Sequence, residues 1–233
     1  MSEEYTVTID GWFRSGWHTF KARHVELLRG ISIIIIYSIG LMLLARFIPG
    51  GDITGMLVQL TFGLVLTAGW FNFCLRLVRE EQVSPIVIFR PFSDYLRVWM
   101  VAISMSIAVA AGMILFIIPG LYVMARLGMA MFIVVEKPGG VADTLKYSAK
   151  ITSGHAGKLF VYYGILIGLY GLSVIPYFTG RQMLGAVTTT VFNFLVTPIL
   201  GVTYASAYDS LLFLSERPGE GIDKPGPEDI EKE

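Results

Sequence analysis

The sequence predicts an all-α membrane protein: six transmembrane helices arranged as three hairpins, each preceded by a cytoplasmic amphipathic surface helix. Of 233 residues, 54% are hydrophobic and 15% are charged, whereas a soluble domain carries about 25% charged residues. The mean hydropathy is +0.64. Apolar runs approaching or exceeding the roughly 20 residues that cross a bilayer recur along the chain. Residues 1–217 are therefore predicted to form a single membrane domain.

The first third begins with an amphipathic segment, residues 9–24, in which apolar side chains recur at the spacing of one helical face. Tryptophan opposite basic residues is typical of helices at the membrane interface. Packing on the bundle and sensing of anionic lipid or curvature both fit this helix. Two membrane helices follow, at about 30–48 and 53–75. The predicted membrane-surface anchors are Trp12, Phe13, Trp17 and Phe20.

The middle third contains the longest apolar run. A serine followed by a proline is typical of a helix start, which predicts a second surface segment over 84–95. The run that follows is too long for one ordinary helix, and Pro119 and Gly120 predict a turn inside it. Membrane helices are therefore predicted at about 97–118 and 120–136.

The last third repeats this arrangement. A third surface helix is predicted over 141–153, followed by membrane helices at about 158–178 and 184–214. Pro198 predicts a kink in the second of these. Residues 218–233 are rich in proline, glycine and acidic residues, which predicts a disordered cytoplasmic tail.

Basic residues indicate how the helices are oriented. Most lysines and arginines collect on one side of the predicted helices, whereas the opposite side has Arg46 and Arg181. By the positive-inside rule, both termini and the three surface helices face the cytoplasm. The sequence thus predicts a multi-pass protein of the cytoplasmic (inner) membrane.

Arg126 is the strongest candidate site residue, because a charge inside a membrane helix costs several kcal/mol unless it is paired. Acidic residues are nearly absent from the predicted membrane helices, and Asp209 is the best candidate partner. Tyr204 and Tyr208 lie beside it in the sequence. Two interpretations stay open: an internal contact with an anion or lipid headgroup, or a structural cation.

The sequence contains no recognised catalytic, metal-binding or nucleotide-binding motif. The sequence lacks the histidine and cysteine spacing of zinc sites, and it lacks nucleotide-binding and hydrolase motifs. We therefore expect no enzyme activity, catalytic residue, metal or cofactor. The formal net charge is zero, and we expect no nucleic-acid partner. Gly164 and Gly168 form a GxxxG pair, which fits both internal helix packing and self-association.

One stretch, residues 118–160, contains IPG, an aromatic residue, VVE and then TLKYSAKITSGHAGKLF. This order, with the later segment YASAYDSLL, resembles bacterial six-helix integral membrane proteins of unknown function, similar to the membrane domain of some glycerophosphodiester phosphodiesterases. The resemblance implies the six-helix fold and a lipid-related role. It implies no catalytic residues, because the phosphodiesterase chemistry belongs to a separate domain. The matching positions are Pro119, Gly120, Glu136, Leu145, Ser148, Gly154, Lys158, Tyr204 and Tyr208.

These observations predict a non-enzymatic integral membrane protein that interacts with membrane lipids or partner proteins at the cytoplasmic membrane. A protein partner or a homo-oligomer fits the small-residue helix faces. The alternative is a small transporter or channel with Arg126 and Asp209 in an internal path, since broken helices and midplane charges are usual in transporters.

Overall fold

The computed structural model describes residues 8–45, 47, 51–178 and 180–216. Every regular element in these ranges is helical, which confirms the predicted all-α class. The predicted tail lies outside the described residues. Six helical stretches are long and apolar enough to cross a membrane, as expected of a multi-pass membrane protein: Ile9–Ala45, Ile53–Val78, Pro85–Leu115, Ile117–Glu136, Ala156–Phe178 and Gln182–Glu216.

Helix α1 (Ile9–Ala45) combines the predicted surface helix and the predicted first membrane helix in one element of 37 residues. The two parts meet at a kink, where Arg23 has a non-helical backbone (φ −127°, ψ 25°). No proline or glycine interrupts residues 18–29, so nothing in the sequence ends the helix there. Helix α2 (Gly51–Val78) continues three residues beyond its predicted end.

The predicted turn at Pro119 and Gly120 is wrong in position. The break lies at Phe116, whose extended backbone (φ −165°, ψ 156°) separates α3 (Tyr95–Leu115) from α4 (Ile117–Leu127). Pro119 instead occupies the first turn of α4. The first four N–H groups of a helix have no intrahelical partner, so the missing N–H of proline costs nothing there.

Gly120 serves close packing between α3 and α4. A Cβ built on Gly112 would lie 2.8 Å from the Gly120 Cα atom, so a side chain at either position would separate the two helices. The predicted helix 120–136 is also divided, because α4 ends before Gly128 and α5 (Ala130–Glu136) begins just after it.

A ten-residue 3₁₀ segment, Pro85–Asp94, replaces the second predicted surface helix and runs directly into α3.

The predicted sixth membrane helix is a continuous helical stretch, Gln182–Glu216, that contains a π-helical segment. This segment, Phe192–Val196, ends two residues before Pro198. Proline cannot donate to the preceding turn and its ring crowds that turn, and a local π geometry accommodates both effects. The remaining helices are α6 (Val141–Ile151), α7 (Ala156–Phe178), α8 (Gln182–Val191) and α9 (Thr197–Glu216).

Helix α9 is the centre of the bundle. Its residues are buried almost without interruption over 200–212, and it packs on α1 and α2. Gly16 of α1 lies so close to α9 that an added Cβ would overlap Thr203. The Ser15 and Ser206 hydroxyls, 3.2 Å apart, join the same two helices. Small residues thus allow the close approach that drives helix association in lipid.

Candidate functional site

A cavity of about 580 Å³ lies within the bundle, between α1, α2, α7, the π segment and α9. Small-molecule sites in proteins occupy about 300–1,000 Å³. Most of its lining is aliphatic or aromatic, and none of the described residues that line it is acidic or basic. The cavity is therefore suited to an uncharged and mainly apolar occupant.

The cavity has a buried wall and an exposed rim. The side chains of Tyr163 and Tyr204 lie in the wall and are 5% and 4% exposed. Thr67 of α2 and Tyr170 of α7 lie on the rim and are exposed. Both rim residues are near the middle of apolar helices long enough to cross a membrane. The cavity therefore opens sideways, through the surface that these helices present to their surroundings.

Two of the tyrosines that line the cavity are hydrogen-bonded to each other. The hydroxyl oxygens of Tyr163 and Tyr204 are 2.5 Å apart, and either group can be the donor. A neighbouring hydroxyl, that of Tyr162, donates to the Leu200 carbonyl at 2.8 Å. A Cβ built on Gly128 would overlap both paired hydroxyls, so glycine at the junction of α4 and α5 allows the pair to form.

A second polar site, here named the Arg79 cluster, consists of Arg79, Glu136, Tyr208 and Asp209. The Arg79 guanidinium donates from Nε to Asp209 Oδ1 at 2.8 Å and from Nη1 to Glu136. The Tyr208 hydroxyl donates to the second carboxylate oxygen of Glu136 at 2.6 Å. The cluster therefore ties the end of α2 and the end of α5 to α9.

The charges of the Arg79 cluster are mutually satisfied. Burial lowers the pKa of Arg79, but hydrogen bonds and attraction from Glu136 and Asp209 outweigh this and raise the pKa above its ordinary value. Beside the cluster, the Lys137 ammonium donates to the Tyr147 hydroxyl at 2.9 Å and to Glu216 at 3.0 Å. Such paired networks rigidify a structure, and every charged side chain in this one has an oppositely charged partner.

The predicted pairing of Arg126 with Asp209 is wrong, because Asp209 pairs with Arg79. Arg126 lies beside α6, and its carbonyl accepts hydrogen bonds from Ser148 at 3.0 Å and Thr152 at 3.1 Å. Within the described part of the chain, the Arg126 guanidinium has no hydrogen-bond or ion-pair partner. Arg126 lies in the last turn of α4, two residues before the short turn at Gly128 and Met129.

The two predicted tyrosines belong to different sites. Tyr204 lines the cavity, whereas Tyr208, one turn further along α9, bonds to Glu136. Phe132 packs on both rings, at centroid distances of 5.3 Å and 4.7 Å. Sequence reasoning missed Tyr163, whose only visible signal is a pair of adjacent tyrosines within an apolar run. It also missed Arg79, which resembles an ordinary charge at the end of a membrane helix.

The predicted membrane-surface anchors lie in different environments. Trp12 is 1% exposed and belongs to the core, so its predicted role as an anchor is wrong. The reason is the close approach at Gly16, which lies on the same helical face four residues on. Phe13 and Phe20 are partly buried. Trp17 is 47% exposed, stacks on Phe20 and lies 5.3 Å from the Lys21 ammonium.

The fold and the cavity together define a class: a multi-pass, all-α membrane protein with an apolar cavity that opens between its helices. No protein-family model, curated protein or solved structure matches the chain. The resemblance to six-helix bacterial membrane proteins therefore stays a prediction. Within the described ranges, no group of three or more histidine, cysteine, aspartate or glutamate side chains could hold a metal ion.

Proposed function

We propose that this protein is a non-enzymatic integral protein of the cytoplasmic membrane that binds a membrane lipid in the cavity between its helices. The observation that carries the proposal is the cavity itself: about 580 Å³, mainly apolar, and open between helices long enough to cross a membrane. A lipid chain can enter such an opening directly from the bilayer. It then gains packing contacts that an empty apolar cavity lacks.

The proposed topology has three helical hairpins, with the amphipathic segments and both termini on the cytoplasmic side. Helices that are neighbours in the sequence pack on each other, namely α1 on α2, α3 on α4 and α7 on α8. The distribution of lysine and arginine supports the orientation through the positive-inside rule. Exposed Trp17 beside Lys21 supports contact of α1 with lipid headgroups.

Binding is favoured over transport. The predicted transporter or channel needs a polar path, and neither Arg126 nor Asp209 lines the cavity. The predicted protein partner or homo-oligomer has one supporting feature, the outward glycine row of α7. A Cβ added at Gly164 or Gly168 would meet no atom within 4 Å. That row is compatible with contact to lipid as well, so we propose lipid as the main partner.

Blocking the cavity tests this proposal. Gly63 lines the cavity, and a Cβ built there meets nothing within 4 Å, so the leucine of Gly63→Leu has room to occupy the opening. Gly168→Leu is the matched control, because Gly168 is an exposed helix glycine outside the cavity lining. Native mass spectrometry of the gently solubilised full-length chain measures the retained lipid.

We expect the wild type and Gly168→Leu to retain a lipid at fixed stoichiometry, and Gly63→Leu to lose it. Equal retention by all three proteins would show that the cavity is not the lipid site. Loss from both leucine variants would indicate binding on the outer surface of the bundle.

A further inference from the structure

We infer that the cavity selects an uncharged lipid with an ester or other carbonyl oxygen, and that the hydroxyl groups of Tyr163 and Tyr204 bind this oxygen. The inference rests on the proposed lipid-binding function and adds the chemical class of the ligand. It follows from the hydrogen bonds of the tyrosine pair, the charge of the lining and the position of the opening.

Counting hydrogens shows that the tyrosine pair has a donor to spare. Each hydroxyl carries one hydrogen, and the bond between Tyr163 and Tyr204 uses one of the two. Whichever group donates, the second hydroxyl hydrogen has no acceptor among the residues that the structure describes. Both side chains are at least nine-tenths buried and line the cavity. Buried donors almost always have a partner, so an acceptor atom from a ligand completes the site.

The charge of the lining restricts that acceptor. No charged side chain is present among the described lining residues, so an ionised headgroup inside the cavity would have no counter-charge. The nearest charges in α9 belong to the Arg79 cluster, where Arg79 already pairs with two carboxylates. A carboxylate or phosphate ligand is therefore disfavoured, whereas an ester oxygen accepts a hydrogen bond without carrying charge.

The position of the opening agrees with this ligand class. Thr67 and Tyr170 place the rim near the middle of their helices, at the level where lipid chains and neutral lipids reside. The rim residue Asn193 also lines the cavity and could bind a ligand oxygen in place of the tyrosine pair. It is only partly buried, so it needs no ligand to satisfy its amide.

Three ligands that share one brominated hydrocarbon chain and differ in their terminal group test the inference. The probes are 9,10-dibromostearic acid, its methyl ester and 9,10-dibromo-octadecane, added to the full-length protein in lipid nanodiscs. Bromine quenches tryptophan fluorescence at contact, and Trp70 lines the cavity. Quenching that is present in the wild type and lost in Trp70→Phe reports binding in the cavity. We expect the ester to bind about fivefold tighter than the hydrocarbon, and the carboxylate to bind weakest.

The double variant Tyr163→Phe/Tyr204→Phe removes both hydroxyls and keeps both rings. A single variant is not sufficient, because the remaining hydroxyl could donate to the ligand. We expect the double variant to bind the ester and the hydrocarbon equally, with hydrocarbon binding unchanged as evidence of an intact cavity. Tyr170→Phe, which removes a hydroxyl at the rim, and Asn193→Leu are controls and should keep the fivefold preference.

The outcomes separate the two proposals. If no probe quenches Trp70, the proposed lipid-binding function fails. If the hydrocarbon and the ester bind the wild type equally, or the carboxylate binds tightest, the lipid site stands and the inferred ligand class is overturned. A preference for ester that survives in the double variant, or that disappears in Asn193→Leu, overturns the role of the tyrosine pair.

Discussion

The Arg79 cluster and the tyrosine pair of the cavity lie one helical turn apart on α9, yet their polar groups are arranged in opposite ways. Tyr208 donates to Glu136, which also accepts from Arg79, so the Tyr208 hydroxyl hydrogen has a charged acceptor. Tyr204 and Tyr163 are bonded to each other, with one hydrogen left over. The matched site holds helices together, whereas the unmatched site is suited to a ligand.

The glycines also fall into two groups, those in tight contact with a neighbouring segment and those beside open space. Where the 3₁₀ segment packs on α2, a Cβ on Gly69 would overlap the Ile88 carbonyl oxygen, and the helix surface is complementary to its neighbour. At the cavity and on the outer face of α7, Cβ atoms on Gly63 and Gly168 would meet nothing within 4 Å. Tight packing and open space therefore coexist in one bundle.

The largest effect is expected from Gly69→Ala. The new Cβ would overlap a backbone oxygen, which cannot rotate away as a flexible side chain could, so α2 and the 3₁₀ segment must separate. We expect the free energy of unfolding to fall by about 3 kcal/mol, the upper part of the usual overpacking range. Gly168→Ala, measured in parallel by denaturant titration, should cost nothing. If both variants lost the same free energy of unfolding, the packing around Gly69 would not be tighter than that around Gly168.

Arg79→Leu should have the next largest effect, because it leaves Glu136 and Asp209 without their cation. Removing one partner of a buried pair costs about 3–5 kcal/mol. These side chains are 17–30% exposed, so we expect about 2 kcal/mol. Arg14→Leu is the control, because Arg14 and its partner Asp10 are both 82% exposed, so losing this pair should cost less than about 1 kcal/mol. A loss no greater than that of the control would show that the cluster is not structural.

The smallest changes in stability are expected when the tyrosines of the two sites are replaced by phenylalanine. Tyr208→Phe removes a hydrogen bond to a carboxylate and should lower the free energy of unfolding by about 1.5 kcal/mol. The double variant Tyr163→Phe/Tyr204→Phe removes both partners of a neutral bond, which is nearly neutral for stability. We expect it to change the thermal midpoint less than Tyr208→Phe does. The reverse order would mean that the tyrosine pair stabilises the fold rather than serving a ligand.

Predictions from the sequence succeeded where a property belongs to a continuous segment. The fifth membrane helix, predicted at 158–178, is Ala156–Phe178, because apolar composition and flanking polar residues determine its extent. Near Pro198 the helix contains a π-helical segment, Phe192–Val196, and the kink expected there stays a prediction. Apolar composition is a sum over neighbouring residues, so the sequence alone is enough to locate such a helix.

By itself, the sequence determined the all-α class and six helices long enough to span a membrane, since hydropathy and helix length are sums over neighbouring residues. The tertiary structure decided the sites, because Arg79 meets Asp209 across 130 positions and Tyr163 meets Tyr204 across 41. It also placed Trp12 in the core and moved the turn to Phe116. These features depend on contacts between segments that are distant in the sequence, such as the approach of Gly16 to Thr203 and of Gly128 to the tyrosine pair, so neither segment alone predicts them.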